Sequence, residues 1–170
     1  TIAIGDKIPL DPAAVIATVG SPNADHVQAS RAILQSIPEE LHNATHEVFS
    51  ARAFVFALLM DQDSIEVREA QQEIIKSREG VSVLDETNHL FPLLQNVTAA
   101  SRVPILELIQ GTLRDQSLSQ YEQFREIVDQ LIKADKKISL FEFVLQQILL
   151  KQLDRVYGLI KPPVVRYHSM

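Results

Sequence analysis

Apolar residues along this chain recur at intervals of three and four from about Leu10 onward, and strict alternation is never sustained. That period belongs to helices that bury one face, so an all-α fold without a sheet is expected. Gly20-Ser21-Pro22 puts a capping serine ahead of a proline at the first helical position, where a missing N–H is not needed, and predicts a helix to about Ser36. Pro38 opens a short segment over 39–46. Val48, Ala51, Val55, Leu58 and Leu59 then form an apolar face ending at Met60, and Phe49, Phe54 and Phe56 leave that helix few polar positions. Asp61-Gln-Asp-Ser64 reads as a turn and cap, followed by a charged amphipathic helix over 65–78 that Gly80 stops in a left-handed conformation.

Further helices are predicted over 82–96, 99–114, 117–134 and 139–157, with Pro92 and Pro104 each near a helix start or at a kink. In the last of these, Phe141, Leu145, Ile148, Leu149, Leu153 and Val156 share one side, and Leu140, Phe143, Val144 and Leu150 extend it. Only a narrow polar stripe remains, at Gln147, Lys151, Asp154 and Arg155, which predicts a central helix on which others pack. The pattern is that of one all-α domain, a bundle of about seven to eight helices with a central apolar C-terminal helix. An extended N-terminal linker is expected over 1–11, the helical domain over 12–158 and an extended tail over 159–170.

Composition narrows the function classes. With 46% hydrophobic residues in 170, the chain has material for one continuous core. It contains no cysteine, which excludes disulfides, thiolate zinc sites and cysteine nucleophiles and fits a cytosolic setting. Net charge is −6 and the densest basic run is Lys133, Lys136 and Lys137, a poor electrostatic footprint for nucleic acid. Glu142, Lys151, Asp154 and Arg155 interrupt the most apolar segment, so no uncharged run approaches the ~20 residues needed to cross a bilayer, and the piece in hand is expected to be soluble. A start at Thr1, without a basic region or an apolar signal core, is expected of a fragment or processed product.

Candidate chemistry is sparse. His42 and His46 stand four apart on one helical face, the spacing zinc asks of a helix, but Asn43 occupies the place where a zinc protease has its general base, and no third ligand is nominated. The plainer reading is two surface or packing histidines. Asn43-Ala-Thr45 and Asn96-Val-Thr98 match the glycosylation sequon by chance in a chain with neither cysteines nor a signal. Asp61, Asp63 and Glu66 are an acidic cluster of the kind a helix dipole favours in a first turn. Asp135 and Glu142 sit in a polar break between apolar segments, as in a calcium loop. With Glu142 as the final bidentate ligand, however, position one is Leu131, position three is Lys133, and the position needing glycine is Lys136. A capping box explains the same residues better. The Ser139 hydroxyl accepts from the Glu142 N–H, the Glu142 carboxylate accepts from the Ser139 N–H, and Ile138 with Phe143 forms a hydrophobic staple.

Four segments, 46–59, 121–132, 134–143 and 162–167, resemble the C-terminal region of bacterial membrane zinc metallopeptidases, relatives of HtpX and the CAAX prenyl proteases described as zinc-dependent proteases with chaperone function. The likeness spans about 19–167. It implies a non-catalytic accessory domain on the cytoplasmic side of an inner-membrane protein, contacting its own peptidase domain, a substrate or an adaptor. No catalytic residue and no cofactor would lie in this fragment, because the HExxH helix and the zinc of the parent peptidase belong upstream. The loop at Asp135 also resembles TerB-like helical domains, where a glycine stands at the place of Lys136; if the turn needs a left-handed residue there, lysine holds it at a cost of ~1 kcal/mol. The alternative is a free-standing metal-binding or sensing module using Asp135 and Glu142, or His42 and His46. The capping box makes its own prediction: Ser139→Ala lowers stability by roughly 1 kcal/mol, and an unchanged melting transition contradicts the cap.

Overall fold

The computed structural model describes residues 24–136 and 139–160. The linker expected over 1–11, the cap at Ser21 and Pro22, Ile138 of the staple and the tail from 161 lie outside the described residues. The described chain is an all-helical single bundle. In order it runs α1 (Ala24–Ser36), α2 (Glu39–Ala44), α3 (Val48–Leu59), α4 (Ile65–Glu79), α5 (Val81–Leu93), a 3₁₀ turn (Leu94–Asn96), α6 (Ala99–Leu113), α7 (Leu118–Ala134) and α8. The last has three consecutive parts, Leu140–Leu145, a π-helical turn Gln146–Leu150 and Lys151–Val156, whose junctions keep helical dihedrals throughout. Counted so, there are eight helices among the described residues, as the hydrophobic period predicts.

The most enclosed of the described helices is α3, although Phe49 in its first turn is 46% exposed. Ala51 and the unbroken run from Ala53 to Met60 are buried, including Phe54, Val55 and Phe56 with no exposure. Each such large side chain removed from water contributes about 2 kcal/mol. The α5 helix packs along α3, α6 and α7 cover other sides, and α2 meets its start. In α7, Tyr121, Phe124, Ile127, Val128, Leu131 and Ile132 form a single buried face at helical spacing, and Ser117 with Gln120 makes a capping box at its start.

The C-terminal segment differs from its predicted central position. Leu145, Leu149 and Leu153 are fully buried, but Leu140 is 74% exposed and Phe143 and Val156 about half exposed, so α8 buries one side only. Both helices are apolar around their circumference in sequence; the one with flanking helices able to cover it takes the centre. Pro104 lies inside α6 and Pro92 in the last turn of α5, just before the 3₁₀ turn that follows it. Gly80 has φ +93° and ψ 174°, a combination open essentially to glycine alone, and so turns α4 directly into α5. No described residue other than glycine has a positive φ, so Lys136 carries none of the left-handed cost considered above.

A buried amide ties three of these helices together. The Gln71 side chain in α4 donates to the carbonyls of Leu59 (2.9 Å) and Leu131 (3.1 Å), at the ends of α3 and α7, and accepts from the Asp61 N–H at 2.8 Å. Replacing Gln71 by Leu strands two carbonyls and one N–H in the interior. A loss of about 3 kcal/mol in urea unfolding is expected, against less than about 1 kcal/mol if the amide is dispensable.

Candidate functional site

On the far side of the polar break, α8 opens with a cap. The Ser139 N–H donates to Glu142 Oε2 at 2.6 Å, and the Glu142 N–H donates to Ser139 Oγ at 3.2 Å, which completes the capping box. Glu142 is buried, and burial pushes its carboxyl above the ordinary range; the capping bonds from Ser139 pull it down, while the charges of Asp135 and Asp61 push it further up. Phe143, expected to staple with Ile138, is half exposed. The guanidinium of Arg102 on α6 lies 5.2 Å from the ring centre of Phe141 and braces the same turn.

The other sequence candidates have local roles. Asp61 Oδ1 accepts from the N–H groups of Asp63 and Ser64, and Ser64 caps Val67, which accounts for Asp61 as a turn former. The His42 and His46 rings meet edge to face with centres 4.9 Å apart. Among the described residues no group of three or more His, Asp or Glu side chains is placed to hold a metal ion. Nor is any described helix long and apolar enough to cross a membrane.

The most developed polar constellation joins α7 to α8, and periodicity did not reveal it. Asp154 is buried and accepts from the Tyr121 hydroxyl at 2.7 Å and from Arg125 Nε at 2.8 Å. Burial, and then the bond to Asp154, hold the Tyr121 phenol far above its usual value, so it is a permanent donor. Tyr157 stacks on Tyr121 with ring centres 4.4 Å apart, and its hydroxyl reaches the carbonyls of Leu113 and Gln116. Tyr121 and Arg125 are four apart on one face of α7, and Asp154 is in the polar stripe of α8. Those signals are visible in the sequence; their pairing across 29 residues is not.

Beyond this network the chain reverses. The Gly158 N–H donates to Arg155 and the Leu159 N–H to Asp154, the paired bonds of a Schellman turn with Gly158 at φ +72°. After the turn, Leu159 and Ile160 line an open cleft together with residues of α7 and α8. No protein-family model matches the chain, and no curated protein and no solved structure matches it.

The pH response of the cap follows from Glu142. Its folded-state carboxyl is the weaker acid, so the native protein keeps a proton that the unfolded chain has released, and this contribution to stability is present at acid pH and lost as pH rises through the folded value. Glutamine keeps the capping oxygen, as Gln120 does in α7. Glu142→Gln is therefore expected to stabilise the domain at pH 7 and to make no difference below the ordinary carboxylate range. Urea midpoints at the two pH values check this, and an equal effect at both contradicts it.

Proposed function

We propose that this chain is a non-catalytic helical interaction domain of a membrane-bound zinc metalloendopeptidase, acting by holding a protein partner against the peptidase part. The observation that carries the reading is the coincidence of sequence likeness and surface at one place. Residues 134–143 are among those that resemble the peptidase family, and they present Leu140 and Phe143, three apart on one helical turn, as bulky apolar side chains in water. Burying such side chains against a partner would recover about 25 cal/mol for each Å² removed from water. The domain does not depend on them for its own core, which suits a contact surface. The peptidase part would supply the zinc, its ligands and the general base; this chain would supply position.

Reading the gene upstream of the Thr1 codon tests the parentage. An HExxH helix between hydrophobic spans is expected, and a start codon immediately before Thr1 overturns it. Leu140→Asp tests the contact surface: it should leave the melting temperature within about 2 °C, because a side chain 74% exposed contributes little to the fold, yet reduce cross-linking to the peptidase part.

A further inference from the structure

The cleft between α7 and α8 is explained neither by the capping box nor by the family likeness. This open cleft has a volume of about 390 Å³, within the size range of small-ligand sites. Its lining mixes Arg125, Lys151, Gln146 and Gln147 with the carboxylates of Asp129 and Asp154 and with the apolar Leu150 and Ile160. Gln146, Gln147 and Leu150 all belong to the π turn, an irregularity that recurs at functional sites because its widened ring re-aims side chains.

The arginine is held in position. Its Nε is committed to Asp154, which Tyr121 anchors from beneath, and this fixes the guanidinium plane while its side chain stays 49% exposed. Both terminal nitrogens of Arg125 lack a hydrogen-bond partner among the described residues. Lys151 is exposed and has no carboxylate partner among the described residues. The acidic neighbour Asp129 is hydrogen-bonded to Lys133 at 2.6 Å, though its charge also acts on Arg125.

We propose that this cleft binds the C-terminal carboxylate of a peptide whose last side chain is apolar. The fixed guanidinium offers paired donors to a planar carboxylate, Lys151 adds a second cation, and the glutamine amides complete the donor set. A terminal residue carries its carboxylate and its side chain on the same Cα, so one residue can meet the cations and the apolar side chains of this lining at once, whereas an internal Asp or Glu spends its side chain on the charge. Inorganic phosphate fits less well. Asp129 and Asp154 flank the cations, Glu122 and Glu126 line the adjoining cleft, and a dianion is repelled more strongly than a monoanion. Capture of a peptide terminus is a known mode of recognition. The site deepens the reading as an interaction domain and rests on it for its biological use.

The test is an NMR titration of the 170-residue chain with N-acetyl-Ala-Leu, with its C-terminal amide and with inorganic phosphate. The free acid should shift the amides of 146–151 saturably, and the amide should bind at least about 10-fold more weakly, since it loses a charge-assisted pair. Lys151→Ala, which removes no contact of the core, should weaken the acid and leave the amide unchanged. Arg125→Lys, which keeps the charge and loses the fork, should weaken the acid as well, with a melting curve to show that each variant is folded. Equal binding of acid and amide, phosphate binding as tight as the acid, an acid affinity untouched by Lys151→Ala, or no saturable shift by about 10 mM each overturns the site. Failure here with the HExxH helix found upstream removes only the cleft; success here with a start codon before Thr1 removes only the parentage.

Discussion

Enclosing α3 is the condition on which the bundle depends. A helix that is apolar around its whole circumference has no orientation in which it can sit at a surface, so other helices must surround it. The helices α5, α6 and α7 do so, and each turns its own buried stripe toward α3. The one charge in α3, Arg52, is answered by Glu79 at the end of α4. Burial weakens both charged forms, lowering the arginine and raising the glutamate, and the attraction between them opposes both shifts. Removing either partner leaves the other unpaired in apolar surroundings, which is why a charged pair persists against an apolar core.

Polar ties then fix how the surrounding helices meet. Gln71 reads out the ends of α3 and α7 at once, with both donors and its oxygen in use. Tyr121 and Tyr157 do the same for α7 and α8, one through Asp154 and the other through the carbonyls of the α6 to α7 connection. These groups are satisfied in low dielectric, where a missing partner is expensive, so they specify one arrangement among the many that hydrophobic burial alone would accept. A by-product of the second tie is the arginine fork held open beside the π turn, on which the proposed carboxylate cleft is built.

Much of this was legible in the sequence. The spacing of apolar residues located the described helices to within about three residues, and the serine and glutamate at 139 and 142 announced their capping box, which the geometry bears out. Which of two apolar helices takes the centre was not legible. Hydropathy measures how much a helix gains from burial, whereas position depends on neighbours far along the chain. The exposure of Leu140 and Phe143 and the π turn belong to that same class of information. So does the meeting of Arg125 with Asp154, since nothing in either local pattern names the other. Sequence reasoning ranked Asp135 and the histidine pair as candidates because their spacing was local; the richer constellation was the one that only folding assembles.

What results is an inner helix enclosed over most of its length and an outer one whose first turn exposes Leu140 and Phe143. Native-state hydrogen exchange separates the two directly. The amides of the buried run 53–59 in α3 should exchange only through global unfolding, while those in the first turn of α8 exchange through local opening at a much lower free energy. Equal protection of the two helices, with α8 as slow as α3 from its first turn onward, would contradict the account.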